Sequence, residues 1–137
     1  MTADFETHVR LLSDGVLYDK AQAFAQQHGS FVEDEQGRKQ ANGLLRYGRD
    51  GIDELDKYAK KQASRDWSGR KAHYRSLYQS LSNELAELRK LVVDEGLVPQ
   101  NLVKKQLQAA TAEAASPLAR EFIQHLVAEM LYRQGGG

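Results

Sequence analysis

The chain contains no cysteine, and this absence removes whole classes of structure. Without thiols it can form no disulfide scaffold and no zinc or iron–sulfur site that depends on Cys ligands. The sequence also has no uninterrupted apolar run near the ~18 residues that a membrane span needs. Its first residues, MTADFETHVRLLSDG, are acidic where a secretory signal is basic. We therefore expect a cytoplasmic protein that does not enter a membrane.

Proline is rare: Pro99 and Pro117 are the only two, and each stands where a helix could begin. No stretch alternates apolar and polar residues over the length of a strand. With 137 residues, of which 41% are hydrophobic, the chain is long enough for one domain with a core. The sequence predicts an all-α fold, a single-domain bundle of five to seven helices over residues 1–133, with a flexible tail at 134–137.

Residues typical of helix starts and ends predict how the first half of the chain is divided into helices. A helix beginning near Asp4 is expected to break at residues 13–15, where Ser-Asp-Gly interrupts the apolar spacing, and to end at Gly29. Two further helices are predicted at about 36–49 and 52–64, separated by a Gly-containing turn.

The clearest periodicity lies between about Arg70 and Glu95. Apolar residues spaced three and four apart form its inward stripe: Tyr74, Leu77 or Tyr78, Leu81, Leu85, Leu88 and Val92. This pattern predicts the longest helix and the centre of the core. Pro99 is then expected to open another helix, and Ser116-Pro117 to start the last one.

The chain has no net charge, because 19 Lys and Arg balance 19 Asp and Glu. These charges are nevertheless unevenly distributed along the sequence. Residues 57–75, KYAKKQASRDWSGRKAHYR, hold seven Lys and Arg against one Asp, a local +6 that leaves −6 elsewhere. A second acid-free basic run lies in residues 38–49. A local field of this kind attracts a polyanion that the whole-chain charge would not.

Signals for catalysis are missing as well. His8, His28, His73 and His125 are scattered, without the spacing of metal ligands, and no phosphate loop or dinucleotide fingerprint is present. The acidic clusters are typical of solvated faces and helix starts. We therefore expect no metal, no cofactor and no enzymatic activity.

Aromatic residues are interleaved with the cations of residues 57–75. Tyr58, Trp67 and Tyr74 offer flat surfaces on which an unpaired base could stack, while cations neutralise phosphates and release counterions. The alternative is that Trp67 seals the end of the bundle and Tyr74 packs inward. The candidate nucleic-acid-binding residues are Arg38, Lys39, Arg46, Arg49, Lys57, Lys60, Lys61, Arg65, Trp67, Arg70, Lys71 and Arg75.

The run GRKQANGLLRYGRDGIDELDKYAKKQASRDWSGRKAHYRSLYQSLSNELAEL resembles the small helical subunits of type III CRISPR RNA-guided effector complexes. The likeness spans roughly residues 36–95 and consists of an order of parts: Lys39-Gln40 and Leu44-Leu45 on a charged helix, Tyr58, Lys61-Gln62, then Arg65, Trp67 and a long amphipathic helix.

The resemblance implies a non-catalytic RNA-binding subunit in antiviral defence. Such a subunit would contact single-stranded target RNA or the guide–target duplex, other effector-complex subunits, and copies of itself in a head-to-tail array. Arg38, Arg46, Arg49, Lys60, Lys61, Arg65, Arg70 and Lys71 are the phosphate contacts that it implies.

Two other functions fit the same residues. A protein-interaction module would use the basic surface to meet an acidic partner and an apolar stripe, such as Leu81, Leu85, Leu88 and Val92, to complete a helix bundle in trans. A small plasmid- or phage-type DNA-binding protein would prefer one duplex sequence over random RNA.

Overall fold

The computed structural model describes residues 3–136, apart from the side chains at positions 3, 70 and 134–136. Within these residues every regular element is helical and no strand occurs. The elements are α1 (Ala3–Leu12), a π-helical turn (Ser13–Leu17), α2 (Tyr18–His28), α3 (Glu35–Arg49), α4 (Ile52–Ala63), a 3-10 turn (Gly69–Lys71), α5 (His73–Asp94) and α6 (Lys104–Gly136). α1, the π-turn and α2 form one continuous rod, so the described chain has five helices, and the all-α prediction is confirmed.

Helix α5 lies at the centre of the bundle. The predicted apolar stripe is fully buried along its whole length: Tyr74, Leu77, Tyr78, Leu81, Leu85, Leu88 and Val92. α4 packs along one side of α5, and α6 packs against α5, α3 and α2. The stripe cannot complete a bundle in trans, because it is already covered within the chain.

The N-terminal rod runs antiparallel to α5. His8 Nε2 lies 3.0 Å from a Glu95 carboxylate oxygen near one end, and Lys20 Nζ lies 2.9 Å from Glu84 further along. The rod is therefore held along α5 as well as against α6.

The rod does not break where the sequence predicted a break. At residues 13–15 the helix continues through a π-turn, in which Leu17 is fully buried and Ser13 is 3% exposed. Ser13 Oγ donates to Glu121 Oε1 at 3.1 Å and lies 2.9 Å from His125 Nε2. These contacts with α6 hold the turn in place and offset the weak helix propensity of the Ser-Asp-Gly segment.

Pro99 does not open a helix, so this prediction was wrong. α5 ends at Asp94, Gly96 follows two residues later with φ of +70°, and a loop continues to Val103. Leu97 and Val98 pack against the core, and Asn101 adopts φ of +67°. A helix cannot continue through a left-handed residue, so α6 starts only after it.

Two predictions about the last helix were wrong. Pro117 lies inside α6 instead of starting it, and the longest helix among the described residues is α6, with 33 residues, instead of the 22-residue α5. A proline within a helix costs about 3 kcal/mol, because it lacks an N–H group and crowds the preceding turn. Burial on both sides offsets this cost, since Ala114, Ala115, Leu118 and Ala119 are all at most 5% exposed. α6 carries the backbone through Gly136, and the flexible tail at 134–137 stays a prediction.

Replacing Gly43 with Ala is expected to destabilise the fold. An added Cβ would overlap the hydroxyl of Tyr58, which is held beside Tyr78, so α3 and α4 would have to separate. Such overpacking costs about 1 to 3 kcal/mol, more than the gain in helix propensity of about 1 kcal/mol. The matched control is Gly15→Ala, where nothing lies within 4 Å, and chemical denaturation should show it to be neutral or stabilising. Equal stability of the Gly43→Ala variant and the wild type would contradict this account of the packing.

Acidification is expected to weaken the fold through His28. Burial, and secondly the charge of His73, hold the pKa of His28 below its ordinary value of 6.5, and its Nε2 is buried without a hydrogen-bond partner among the described residues. The unfolded chain therefore takes up a proton at this site as pH falls through 6.5, while the folded chain does not, so this stability is present above 6.5 and lost below it. Between pH 7.5 and 5.5 the Tm of the wild type should fall further than that of His28→Gln. Parallel curves would contradict the prediction.

Candidate nucleic-acid interface

Helices α3 and α4 form a hairpin whose connection is only Asp50-Gly51. Gly51 has φ of +112°, a conformation that disfavours any residue with a side chain. The next amide, Ile52 N–H, donates to Ser116 Oγ on α6 at 3.0 Å. The hairpin is therefore fixed at its turn as well as along its length, and the two basic runs of the sequence are brought beside each other.

Tyrosines join the two helices. The rings of Tyr47 on α3 and Tyr58 on α4 are stacked, with centroids 4.5 Å apart and an interplanar angle of 17°. The Tyr58 hydroxyl lies 3.4 Å from that of Tyr78 on α5, which donates in turn to Gln40 on α3. Burial raises the pKa of Tyr58 and, more strongly, that of Tyr78, so both remain neutral hydrogen-bonding groups.

A shallow hollow of about 220 Å³ opens between the two helices beside the stacked rings. We call it the α3–α4 groove; its lining residues are Tyr47, Glu54, Lys57, Tyr58, Lys61 and Gln62. It combines an aromatic wall, two lysines, one carboxylate and one amide.

Two of the predicted cations, Lys57 and Lys61, line this groove. Together with Lys39 and Arg46, which helical spacing places on the neighbouring side of α3, we call them the groove cations. All four are exposed. Gly43 on α3 faces Tyr58 on α4. Lys39 lies four residues before Gly43 and Arg46 three residues after it, so both lie on the side of α3 that turns toward α4. The groove cations therefore place positive charge on both helices of the hairpin.

Carboxylates oppose the groove cations only weakly. Lys39 Nζ lies 3.8 Å from Glu35, and Lys57 Nζ lies 3.5 Å from Glu54; all four side chains are more than half exposed. Exposed pairs within one helix are nearly neutral in energy, so a phosphate can displace them. Among the described residues Arg46 and Lys61 have no ion pair, and the Arg46 guanidinium lies 5.6 Å from the centre of the Tyr47 ring.

Three predicted cations are exposed elsewhere on the bundle. Arg38 and Arg49 lie on the side of α3 that turns toward α6, where Arg49 shares a second hollow with Arg120. Lys60 lies on the α5 side of α4, where its Nζ is 3.1 Å from Asp56. The structure therefore separates them from the α3–α4 groove.

Trp67 is 7% exposed, and this decides the alternative that its sequence position leaves open. Its indole N–H donates to the Gln62 carbonyl oxygen at 2.7 Å, its ring packs 5.1 Å from Tyr74, and the Arg65 guanidinium covers it at 4.7 Å. An aromatic platform for a base needs an open face, which Trp67 does not have. Its assignment to the binding residues is corrected: Trp67 seals the turn between α4 and α5.

The cations of this turn have structural partners. Arg65 Nη1 donates to Gln62 Oε1 at 2.9 Å, and Arg75 Nη2 donates to the Arg65 carbonyl oxygen at 3.1 Å. Lys71 is half-buried, and the side chain of Arg70 lies outside the described residues. Arg65 and Arg75 hold the turn that carries Trp67, so substitutions there would change the fold as well as the charge.

Sequence reasoning missed Tyr47. It stands next to Arg46 in the basic run of α3, and the same rule that singled out Tyr58, an aromatic among cations, could have found it. The sequence does not show, however, that Tyr47 stacks on Tyr58, which lies eleven positions later on another helix.

Ser13, Glu121 and His125 form the one Ser–His–carboxylate cluster in the part of the chain that the structure describes. In a nucleophilic relay the imidazole stands between the hydroxyl and the carboxylate, whereas here the Ser13 hydroxyl contacts both partners. Ser13 is also nearly inaccessible, so the cluster joins the N-terminal rod to α6.

Residues 3–136 contain no group of three or more His, Cys, Asp or Glu that could hold a metal ion, and none of their helices is long and apolar enough to cross a membrane. Comparison with known proteins adds no assignment: no family model, no curated protein and no solved structure matches the chain.

Proposed function

We propose that this protein is a non-catalytic, RNA-binding structural subunit that contacts the phosphate backbone without reading sequence. The observation that carries the proposal is the set of four exposed groove cations on the paired helices α3 and α4, opposed only by exposed carboxylates. Cations clustered on one face neutralise phosphates and release counterions, which is the electrostatic footprint of a nucleic-acid-binding surface.

The resemblance to type III CRISPR small subunits supplies the wider context of the proposal. In that context the ligand is single-stranded target RNA or the guide–target duplex, and the partners are other effector-complex subunits and neighbouring copies of the same chain. A chain whose +6 segment is balanced by −6 elsewhere suits head-to-tail contacts, since the basic face of one copy can meet an acidic face of the next.

Reversing three groove cations, in the variant Arg46→Glu, Lys57→Glu, Lys61→Glu, is expected to abolish RNA binding. Four phosphate contacts to a single strand give a slope of log K against log salt of about −3, and affinity of micromolar order or weaker for the isolated protein. Fluorescence anisotropy with a labelled mixed-sequence RNA at several salt concentrations measures both quantities. Arg65 is left unchanged because it supports the turn.

The matched control reverses three exposed lysines on other helices: Lys90→Glu, Lys104→Glu, Lys105→Glu. It changes the net charge equally and should retain most of the affinity. If both triple variants are folded by circular dichroism and lose affinity equally, the loss reflects total charge and the groove is not the binding surface. Preference of the wild type for one duplex DNA sequence would instead favour the DNA-binding alternative.

A second candidate function, a protein-interaction module, is favoured by the start of α6. Residues 104–109 are exposed around the whole helix, and they follow Val103, which is 64% exposed. With Leu107, 36% exposed, Val103 leaves apolar surface uncovered where α6 projects from the bundle. The stripe that the sequence suggested for this role, on α5, is buried.

Self-association through this segment can be measured by sedimentation velocity over a range of protein concentrations. If copies contact one another there, Val103→Ser, Leu107→Ser should reduce the fraction of larger species, whereas Leu131→Ser, which removes an apolar side chain 43% exposed elsewhere on α6, should not. A concentration-independent monomer in the wild type would exclude this contact between copies.

A further inference from the structure

The α3–α4 groove contains more than a backbone-binding surface requires. Phosphate contacts need cations and hydrogen-bond donors, yet the lining includes two stacked tyrosines and the carboxylate of Glu54. At about 220 Å³ the hollow is smaller than the roughly 300 to 1,000 Å³ of pockets for drug-sized ligands, so it suits a single planar ring system.

The aromatic wall favours an unpaired base. Tyr47 and Tyr58 are held rigidly, because their rings stack on each other and the Tyr58 hydroxyl lies beside that of Tyr78. The Arg46 guanidinium lies over the Tyr47 ring at 5.6 Å, and because Arg46 is exposed it can move aside to admit a base, unlike the partnered Arg65 over the buried Trp67. A base that packs against fixed rings loses less freedom on binding than one that must order its partner. Bases within a duplex are already stacked and paired, so a single strand offers its bases at lower cost.

The carboxylate gives the hollow a chemical preference. Glu54 is 51% exposed and lies at the groove, where it would repel a phosphate. A carboxylate can accept a hydrogen bond from the exocyclic amino group of cytosine, whereas the corresponding uracil position is a carbonyl oxygen and would be repelled. Gln62 already uses its side-chain oxygen to accept from Arg65, so it has amide N–H groups to offer to an acceptor on the base edge.

We propose that the α3–α4 groove binds one unpaired base that carries an exocyclic amino group, with Tyr47 and Tyr58 as its aromatic wall, Glu54 as acceptor, and Lys57 and Lys61 on the flanking phosphates. This inference rests on the proposed function, since the groove cations must first hold the strand. It adds a preference for single-stranded nucleic acid over duplex and for cytosine over uracil.

The test uses three labelled single strands of equal length: oligocytidine, oligouridine and an abasic ribose-phosphate oligomer. Anisotropy at one salt concentration should place oligocytidine first, about three- to tenfold tighter than oligouridine, with the abasic strand weakest. Tyr47→Leu should weaken binding of oligocytidine at least about fivefold and leave the abasic strand unchanged, while Tyr47→Phe, which retains the ring, should behave as the wild type. Tyr47→Phe also keeps the experiment interpretable if Tyr47→Leu fails to fold.

Glu54→Gln tests the preference without changing the shape of the side chain. An amide offers both a donor and an acceptor, so cytidine and uridine strands should bind this variant almost equally. The control Glu87→Gln removes the same charge from an exposed position on α5, and it should leave the preference for cytidine intact.

The outcomes separate this inference from the proposed function. Equal binding of the cytidine and uridine strands, or of the cytidine and abasic strands, overturns the base site and leaves backbone binding standing. Absence of binding to all three strands at low salt overturns both.

Discussion

The candidate site depends on the interactions of one buried group, the hydroxyl of Tyr78. It donates to Gln40 on α3 and lies 3.4 Å from the Tyr58 hydroxyl on α4, so one fully buried group on α5 holds both helices of the hairpin. A buried hydroxyl without a partner would be costly, and this requirement selects one arrangement of α3, α4 and α5. The groove exists because the three helices are held in that arrangement.

Gly43 makes this arrangement possible. The absence of a Cβ at this position lets Tyr58 lie against α3, which brings Tyr47 into stacking contact with it. The glycine lowers the helix propensity of α3, and the packing of α3 against α4 and α6 compensates for that loss. The residue that weakens helix α3 is thus also the one that allows Tyr58 of α4 to lie against it.

The charge of the basic segment is divided by the fold into parts with different roles. Lys57 and Lys61 are exposed at the groove, Lys60 pairs with Asp56, and Arg65 covers the buried ring of Trp67. Adjacent residues on a helix point about 100° apart, so a run of cations in sequence cannot become a run of cations on one surface. The basic run at 38–49 is divided in the same way between the sides of α3 that turn toward α4 and α6.

The sequence by itself determined the helical class, the buried stripe of α5, the turn between the helices at 36–49 and 52–64, and the pooling of positive charge in two runs, because periodicity and composition are local properties of the chain. Only the tertiary structure decided that the helix continues through Ser13 and through Pro117, since contacts and burial supplied by distant residues offset poor local propensity there. It also decided that Trp67 is buried and that Tyr47 meets Tyr58. Both the stacking of the two tyrosines and the burial of Trp67 depend on which surfaces of separate helices pack together. The spacing of residues within one helix does not specify this packing.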